Sequence, residues 1–177
     1  MYGPEGARVV DRTTLVATIR AAFATVPYPG DDDIVHCEYD ERWGGRLAGP
    51  CQECSEIVDH FRGTTNTSHR AAAIRGVSFA LGSFTPAALL YWLPAFLIGC
   101  VAEPDEGPLD ILEFRFRAPG TPEDEQWQRT RLPCLSDDQL AALVIYFEYQ
   151  ETVGSAYTTD ARSAISVLRQ EVQRRHA

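Results

Sequence analysis

Two short stretches of the chain carry the residue types from which a metal centre is made. His36-Cys37-Glu38 is followed by Pro50-Cys51-Gln52-Glu53-Cys54, which matches the letters of the H-x-E…P-C-x-x-C signature of zinc deaminases. In such a centre His36, Cys51 and Cys54 hold Zn²⁺, a cation that takes nitrogen and sulfur ligands in a tetrahedron with one position left open for water. Glu38 would then carry protons to and from the metal-bound water. The spacing opposes this chemistry. Eleven residues separate Glu38 from Pro50, whereas the helix and strand that a deaminase places there need about twice that number.

A closed structural zinc site is a looser reading of the same atoms, with Cys51 and Cys54 joined by His36 or Cys37 and completed by a residue such as His60 or His69. C-x-x-C is half of a common zinc motif, but no second C-x-x-C or paired-histidine half is present. Cys54 also falls on the apolar stripe of a helix, where cysteine packs as a small hydrophobe. A redox role has one argument in its favour, since a helix N-terminus lowers a thiol pKa. Against it, residues 44–50 do not form a buried strand leading into the motif, and Glu53 and Glu56 oppose thiolate formation. Asp31, Asp32 and Asp33 offer hard oxygens to a divalent cation but lack the spacing of a calcium loop, and a solvated turn explains them. The four histidines show no triad spacing with a serine or cysteine, and G-x-S-x-G and H-E-x-x-H are both missing.

Composition removes further classes. All 16 basic residues are arginine, so a Walker A loop, a kinase-type phosphate-pairing lysine and a Schiff base to pyridoxal phosphate all lack their ε-amine. The net charge of −9 repels nucleic acid and anionic lipid while raising the encounter rate with a basic protein. Neither nucleic acid nor membrane is therefore expected as a partner. Five cysteines, an odd number, and an N-terminus without the apolar run of a signal peptide point to a reducing cytoplasm. The length of 177 residues, 45% apolar, suits a single globular domain over 1–177 with its core at about 11–175, large enough to fold without metal or disulfide staples.

The elements that must position these residues are mostly helical. Asp11 or Thr13 caps a first helix whose Leu15, Val16, Ile19, Phe23 and Val26 share a face until Pro27 ends it. Tyr28-Pro29-Gly30-Asp31 reads as a type II turn, and residues 34–37 as a short strand. A helix over 52–62, closed by Gly63, turns Cys54, Ile57, Val58 and Phe61 inward and leaves Glu53, Glu56 and Asp59 outward. Residues 76–102 form 27 consecutive uncharged positions. Thr85-Pro86 reads as an N-cap and first helical residue, splitting the run into two helices of which Pro94 kinks or breaks the second, so the run predicts a buried core hairpin and not a membrane span. Leu112, Phe114 and Phe116 alternate with charged residues as in a half-buried strand, which 127–132 would pair across a loop at 118–126. Ser136 and Gln139 predict a capping box ahead of Leu140, Leu143, Val144 and Phe147, and a last amphipathic helix covers 160–175. The expected fold class is α+β, a mainly α-helical single domain with a small β-hairpin.

The string Ala22-Phe23 to Val26-Pro27-Tyr28-Pro29-Gly30-Asp31-Asp32 and on to Ile34-Val35 resembles the opening of a bacterial family catalogued as domain of unknown function 6714. Three further stretches agree in order and spacing: Glu53-Cys54 with Glu56-Ile57 and Phe61-Arg62-Gly63; Phe84-Thr85-Pro86-Ala87 with Tyr91 and Leu93-Pro94-Ala95; and Leu135-Ser136 with Gln139-Leu140 and Phe147. The chain departs from the family pattern after Gly63, where threonines and an asparagine stand in place of a tryptophan. The resemblance implies a helical domain and brings no activity.

The reading that follows is a non-enzymatic acidic binding protein, of immunity or antitoxin type, that masks a basic protein through Asp31, Asp32, Asp33, Glu53 and Glu56. A zinc-dependent hydrolase or deaminase using His36, Glu38, Cys51 and Cys54 is the alternative. Zinc held at Cys51 and Cys54 would contribute folding free energy, so a chelator should lower the melting temperature and Cys51→Ser should abolish that sensitivity. An unchanged melting temperature, with no zinc in elemental analysis, would identify the cysteines as packing residues.

Overall fold

The computed structural model describes residues 10–36, 51–66, 68–104, 109–153 and 158–177, and the regular elements among them are all helices. They are α1 (Arg12–Phe23), α2 (Gln52–Phe61), α3 (Ala71–Arg75), α4 (Ala80–Ser83), α5 (Pro86–Ala102), α6 (Leu109–Phe116), α7 (Pro122–Arg131), a 3₁₀ turn (Leu132–Cys134), α8 (Asp137–Thr152) and α9 (Thr158–His176).

Helix α5 is the centre of the packing. Its start is set by local chemistry, as Thr85-Pro86 predicts: the Thr85 hydroxyl accepts from the Ala88 amide at 3.1 Å and proline occupies the first turn. Pro94 does not break the helix, which runs unbroken for 17 residues. The missing N–H of a proline and its clash with the preceding turn cost about 3 kcal/mol, but Leu89, Trp92, Leu93, Phe96, Leu97 and Cys100 around it are all buried, and that packing outweighs a single lost hydrogen bond. The helix is roughly 25 Å long at 1.5 Å per residue. No helix among the described residues is long and apolar enough to cross a membrane.

Around α5 lie α1 and α3, while α1 also rests on α8, α8 packs along α9, and α9 reaches α6. Asp11 caps α1 by accepting from the amides of Thr13 and Thr14 at 2.9 and 3.1 Å. The capping box is formed in both directions: the Ser136 hydroxyl accepts from the Gln139 amide at 3.2 Å, and the Gln139 side chain accepts from the Ser136 amide at 2.8 Å. At the far end of α9, Arg175 donates to the carbonyls of Leu132 and Leu135 at 2.7 and 2.6 Å, tying the last helix to the start of α8. The buried Cys100 thiol lies against Tyr146 of α8, and burial pushes it up to about 12, so it is a packing thiol and not a nucleophile at neutral pH.

The expected β-hairpin is overturned, and the fold class is mainly helical with no strand or sheet among the described residues. Residues 112, 114 and 116 lie in α6, and 127–132 lie in α7 and the 3₁₀ turn. Leu112 and Phe116 are four apart, hence on one helical face, and both are fully buried. Phe114 points outward at 37% exposure, with the guanidinium groups of Arg117 and Arg115 at 4.6 and 5.4 Å from its ring. An outward aromatic roofed by arginines imitates strand alternation in the sequence. The supposed hairpin loop contains the start of α7, where the Thr121 hydroxyl accepts from the Asp124 amide at 3.2 Å and Pro122 opens the helix. The expected strand at 34–37 is reduced to one isolated antiparallel bridge between Val35 and Phe84, and Cys37 lies outside the described residues.

Leu93 is fully buried, so Leu93→Asp places a charge without a partner in the core and should lower stability by on the order of 4 kcal/mol. Urea denaturation of the purified variant measures this. A loss below about 1 kcal/mol, the range of surface changes, would show that α5 is not central.

Candidate functional site

The acidic turn is built before it can act. Gly30 adopts a φ of 93°, which glycine tolerates without strain, and the chain reverses so that the Asp33 amide donates to the Gly30 carbonyl at 3.3 Å. Tyr28 then fastens the turn to α2: its hydroxyl donates to Asp31 at 2.5 Å and accepts from the Gly63 amide at 3.0 Å. Burial, and then the bond to Asp31, raise the Tyr28 pKa. Arg62 stands 3.8 Å from the other oxygen of Asp31, and the Tyr28 ring meets Tyr91 and Trp92 edge-on at 5.4 and 5.7 Å. All three aspartates are exposed; Asp31 is held by bonds within the chain, while Asp32 and Asp33 make no ion pair among the described residues.

Helix α2 carries the second group of carboxylates. Cys54, Ile57 and Phe61 are buried, as the helical period predicts, and Glu53, Glu56 and Asp59 are exposed. Asp31 sits at Arg62, just past the C-terminal end of α2, whereas Glu53 occupies its first turn, about 13 Å away along the axis at 1.5 Å per residue. Turn and helix thus form an elongated acidic strip and not a compact cluster.

Among the described residues the candidate metal ligands are not brought together. The Cys51 sulfur accepts from the Cys54 amide at 3.3 Å as the helix cap, and the Cys54 side chain is buried on the opposite, core-facing side. His36 is exposed, with its amide donating to the Ser83 carbonyl at 2.8 Å. Glu38, Cys37 and residues 44–50 lie outside the described residues. Among the described residues no three histidine, cysteine, aspartate or glutamate side chains are grouped to hold a metal ion.

His60 and His69 instead stack on each other, with centroids 5.1 Å apart and planes inclined by 23°. Thr64 gives its one hydroxyl proton to the Phe61 carbonyl at 2.7 Å and receives the Trp92 indole N–H at 3.2 Å. Nε2 of His69, 2.9 Å from the same oxygen, is then the protonated nitrogen of a neutral ring. Burial lowers the pKa of both rings, and with His60 beside it His69 falls to about 4.

Sequence reasoning missed a cleft of about 910 Å³ beside the acidic turn, bounded by Asp33, the start of α5 and one face of α7. Its floor is Trp127, whose indole N–H donates to the Leu81 carbonyl at 3.2 Å, and Arg131, which donates to the Phe84 carbonyl at 2.7 Å. The two stack, the guanidinium lying 5.2 Å from the ring. Thr121-Pro122, the same cap signal as Thr85-Pro86, was the clue that a helix presents Glu123 and Trp127 here.

No family model, curated protein or solved structure matches this chain, so the candidate site is read from its own residues.

Both stacked histidines have pKa values below the ordinary 6.5, so the unfolded chain binds more protons than the folded one between pH 6.5 and about 4. Their contribution to stability is present above pH 6.5 and is lost as the pH falls through that window. The melting temperature should drop between pH 7 and pH 4, and His69→Gln should make that drop shallower. Identical pH profiles for the two proteins would refute the neutral stack.

Proposed function

We propose that this chain is a non-enzymatic binding protein that engages a basic protein partner, in the manner of an immunity or antitoxin protein, through the strip formed by the acidic turn and the outer side of α2. One observation carries the reading. Six of the nine acids of α7, α8 and α9 pair with arginines, namely Asp124, Asp137, Glu148, Glu151, Asp160 and Glu171. Of the six in the turn and α2, Asp31 alone does so among the described residues. Residues 31–62 hold nine acids against three arginines, a net −6 of the chain's −9.

Arginines therefore pair with most acids of the last three helices and leave most of those in the turn and α2 without an ion pair among the described residues. Exposed ion pairs contribute little to stability, so this unequal distribution acts mainly through its field. An uncompensated negative strip steers a cationic partner, and its carboxylates match the two-pronged donors of arginine on that partner. The odd number of cysteines supports a reducing cytoplasm as the place of the encounter.

The test is association of the purified chain with the product of the adjacent gene, followed by stopped flow at low and raised salt. Reversal of Asp32, Asp33, Glu53 and Glu56 to arginine leaves the Asp31 tie intact. It should slow association by about tenfold or more and flatten its salt dependence. An unaltered rate would place the interface elsewhere.

A further inference from the structure

The cleft beside the acidic turn carries two carboxylates, Asp33 and Glu123, against one guanidinium, that of Arg131, with His36, Gln126 and Thr130 among its other polar side chains, and this negative balance decides the charge of what it takes. Two helices begin at it, α5 at Pro86 and α7 at Pro122, and helix starts ordinarily offer N–H donors to anions. Here the first N–H of each helix is replaced by proline. The threonine caps take another from each, Thr85 from Ala88 and Thr121 from Asp124. The Arg131 side chain is turned to the Phe84 and Gly82 carbonyls at 2.7 and 3.5 Å and to the Thr130 hydroxyl at 3.1 Å. The Trp127 indole N–H is held by Leu81. An anion entering the cleft meets two exposed carboxylates, Asp33 and Glu123, which make no ion pair among the described residues.

We propose that this cleft seats an arginine-bearing segment of the basic partner, its guanidinium held between Asp33 and Glu123. The proposal rests on the binding function above and adds the chemistry and place of the anchor. The cleft volume of about 910 Å³ accommodates several side chains of a peptide. Asp33 belongs both to the strip and to the cleft, so the field that steers the partner ends where its side chain docks. Guanidinium presents five N–H donors in a plane, and a carboxylate takes two of them side by side, which an ammonium group cannot reproduce.

The experiment measures fluorescence anisotropy of labelled octa-arginine with the full chain at low ionic strength. It compares Asp33→Asn/Glu123→Gln with Glu53→Gln/Glu56→Gln, two variants that each remove two charges from exposed positions. The cleft pair should weaken binding of this short peptide by about tenfold or more, since it removes the charge-assisted bonds of the anchor, and the α2 pair by about twofold, since a peptide seated in the cleft feels α2 only through a screened field. Octa-lysine should bind more weakly than octa-arginine, and the Trp127 indole resonance should shift as octa-arginine is added. Equal weakening by the two variants, or a Trp127 resonance that stays put while the peptide binds, would overturn the cleft and leave the acidic strip standing. No binding of octa-arginine by the unaltered chain would overturn both.

Discussion

The structure depends on covering a helix that has no polar side. Helix α5 carries no charged residue along its 17 positions, so water is an unfavourable neighbour on every face, and α1, α3 and the aromatic end of α2 close around it. The same helix locates the acidic turn. The Thr85 hydroxyl that caps α5 also donates to the Asp33 carbonyl at 2.7 Å, the Thr85 amide donates to Ile34 at 3.2 Å, and the His36 amide donates to Ser83 at 2.8 Å. Burial of α5 and placement of the charged turn are thus one event, joined at one threonine.

The acidic strip inherits its rigidity from aromatic packing. Phe61, the last residue of α2, lies 5.0 Å from Phe84 and 5.1 Å from Trp92 between ring centroids, and such pairs contribute about 0.5–1.5 kcal/mol each beyond their buried area. The neutral histidine stack and Thr64 close the same end. Because α2 is packed at this end, its inner and outer sides keep a fixed orientation to the core.

Whatever local chemistry determines was legible in the sequence. Asp11, Thr85-Pro86 and Ser136 with Gln139 announce helix starts within a few residues, and the spacing of Cys54, Ile57 and Phe61 assigns the inner and outer sides of α2 correctly. The hairpin error arose where a short segment fits two periods. Leu112 and Phe116 satisfy both, and the deciding facts, Glu113 buried and Phe114 roofed by arginines, are tertiary. Pro94 does not end its helix for a similar reason, since propensity is local and the packing that overrides it is not. The Tyr28 tie to Gly63 spans 35 positions and the Arg131 bond to Phe84 spans 47. The histidine stack has no motif that a one-dimensional reading could find, and of the cleft only the Thr121-Pro122 cap is written in the sequence.

Charge partition is the link we propose between fold and function: arginines pair with most acids of the last three helices, and in the turn and α2 only Asp31 is so paired among the described residues. The central claim is that this strip is the contact surface, and hydrogen exchange of the chain, free and bound to the product of the adjacent gene, tests it most directly. The account predicts slowed exchange of backbone amides at 30–36 and 51–62, with α8 and α9 unchanged. Protection on α8 and α9, with the strip exchanging as freely as before, would contradict it.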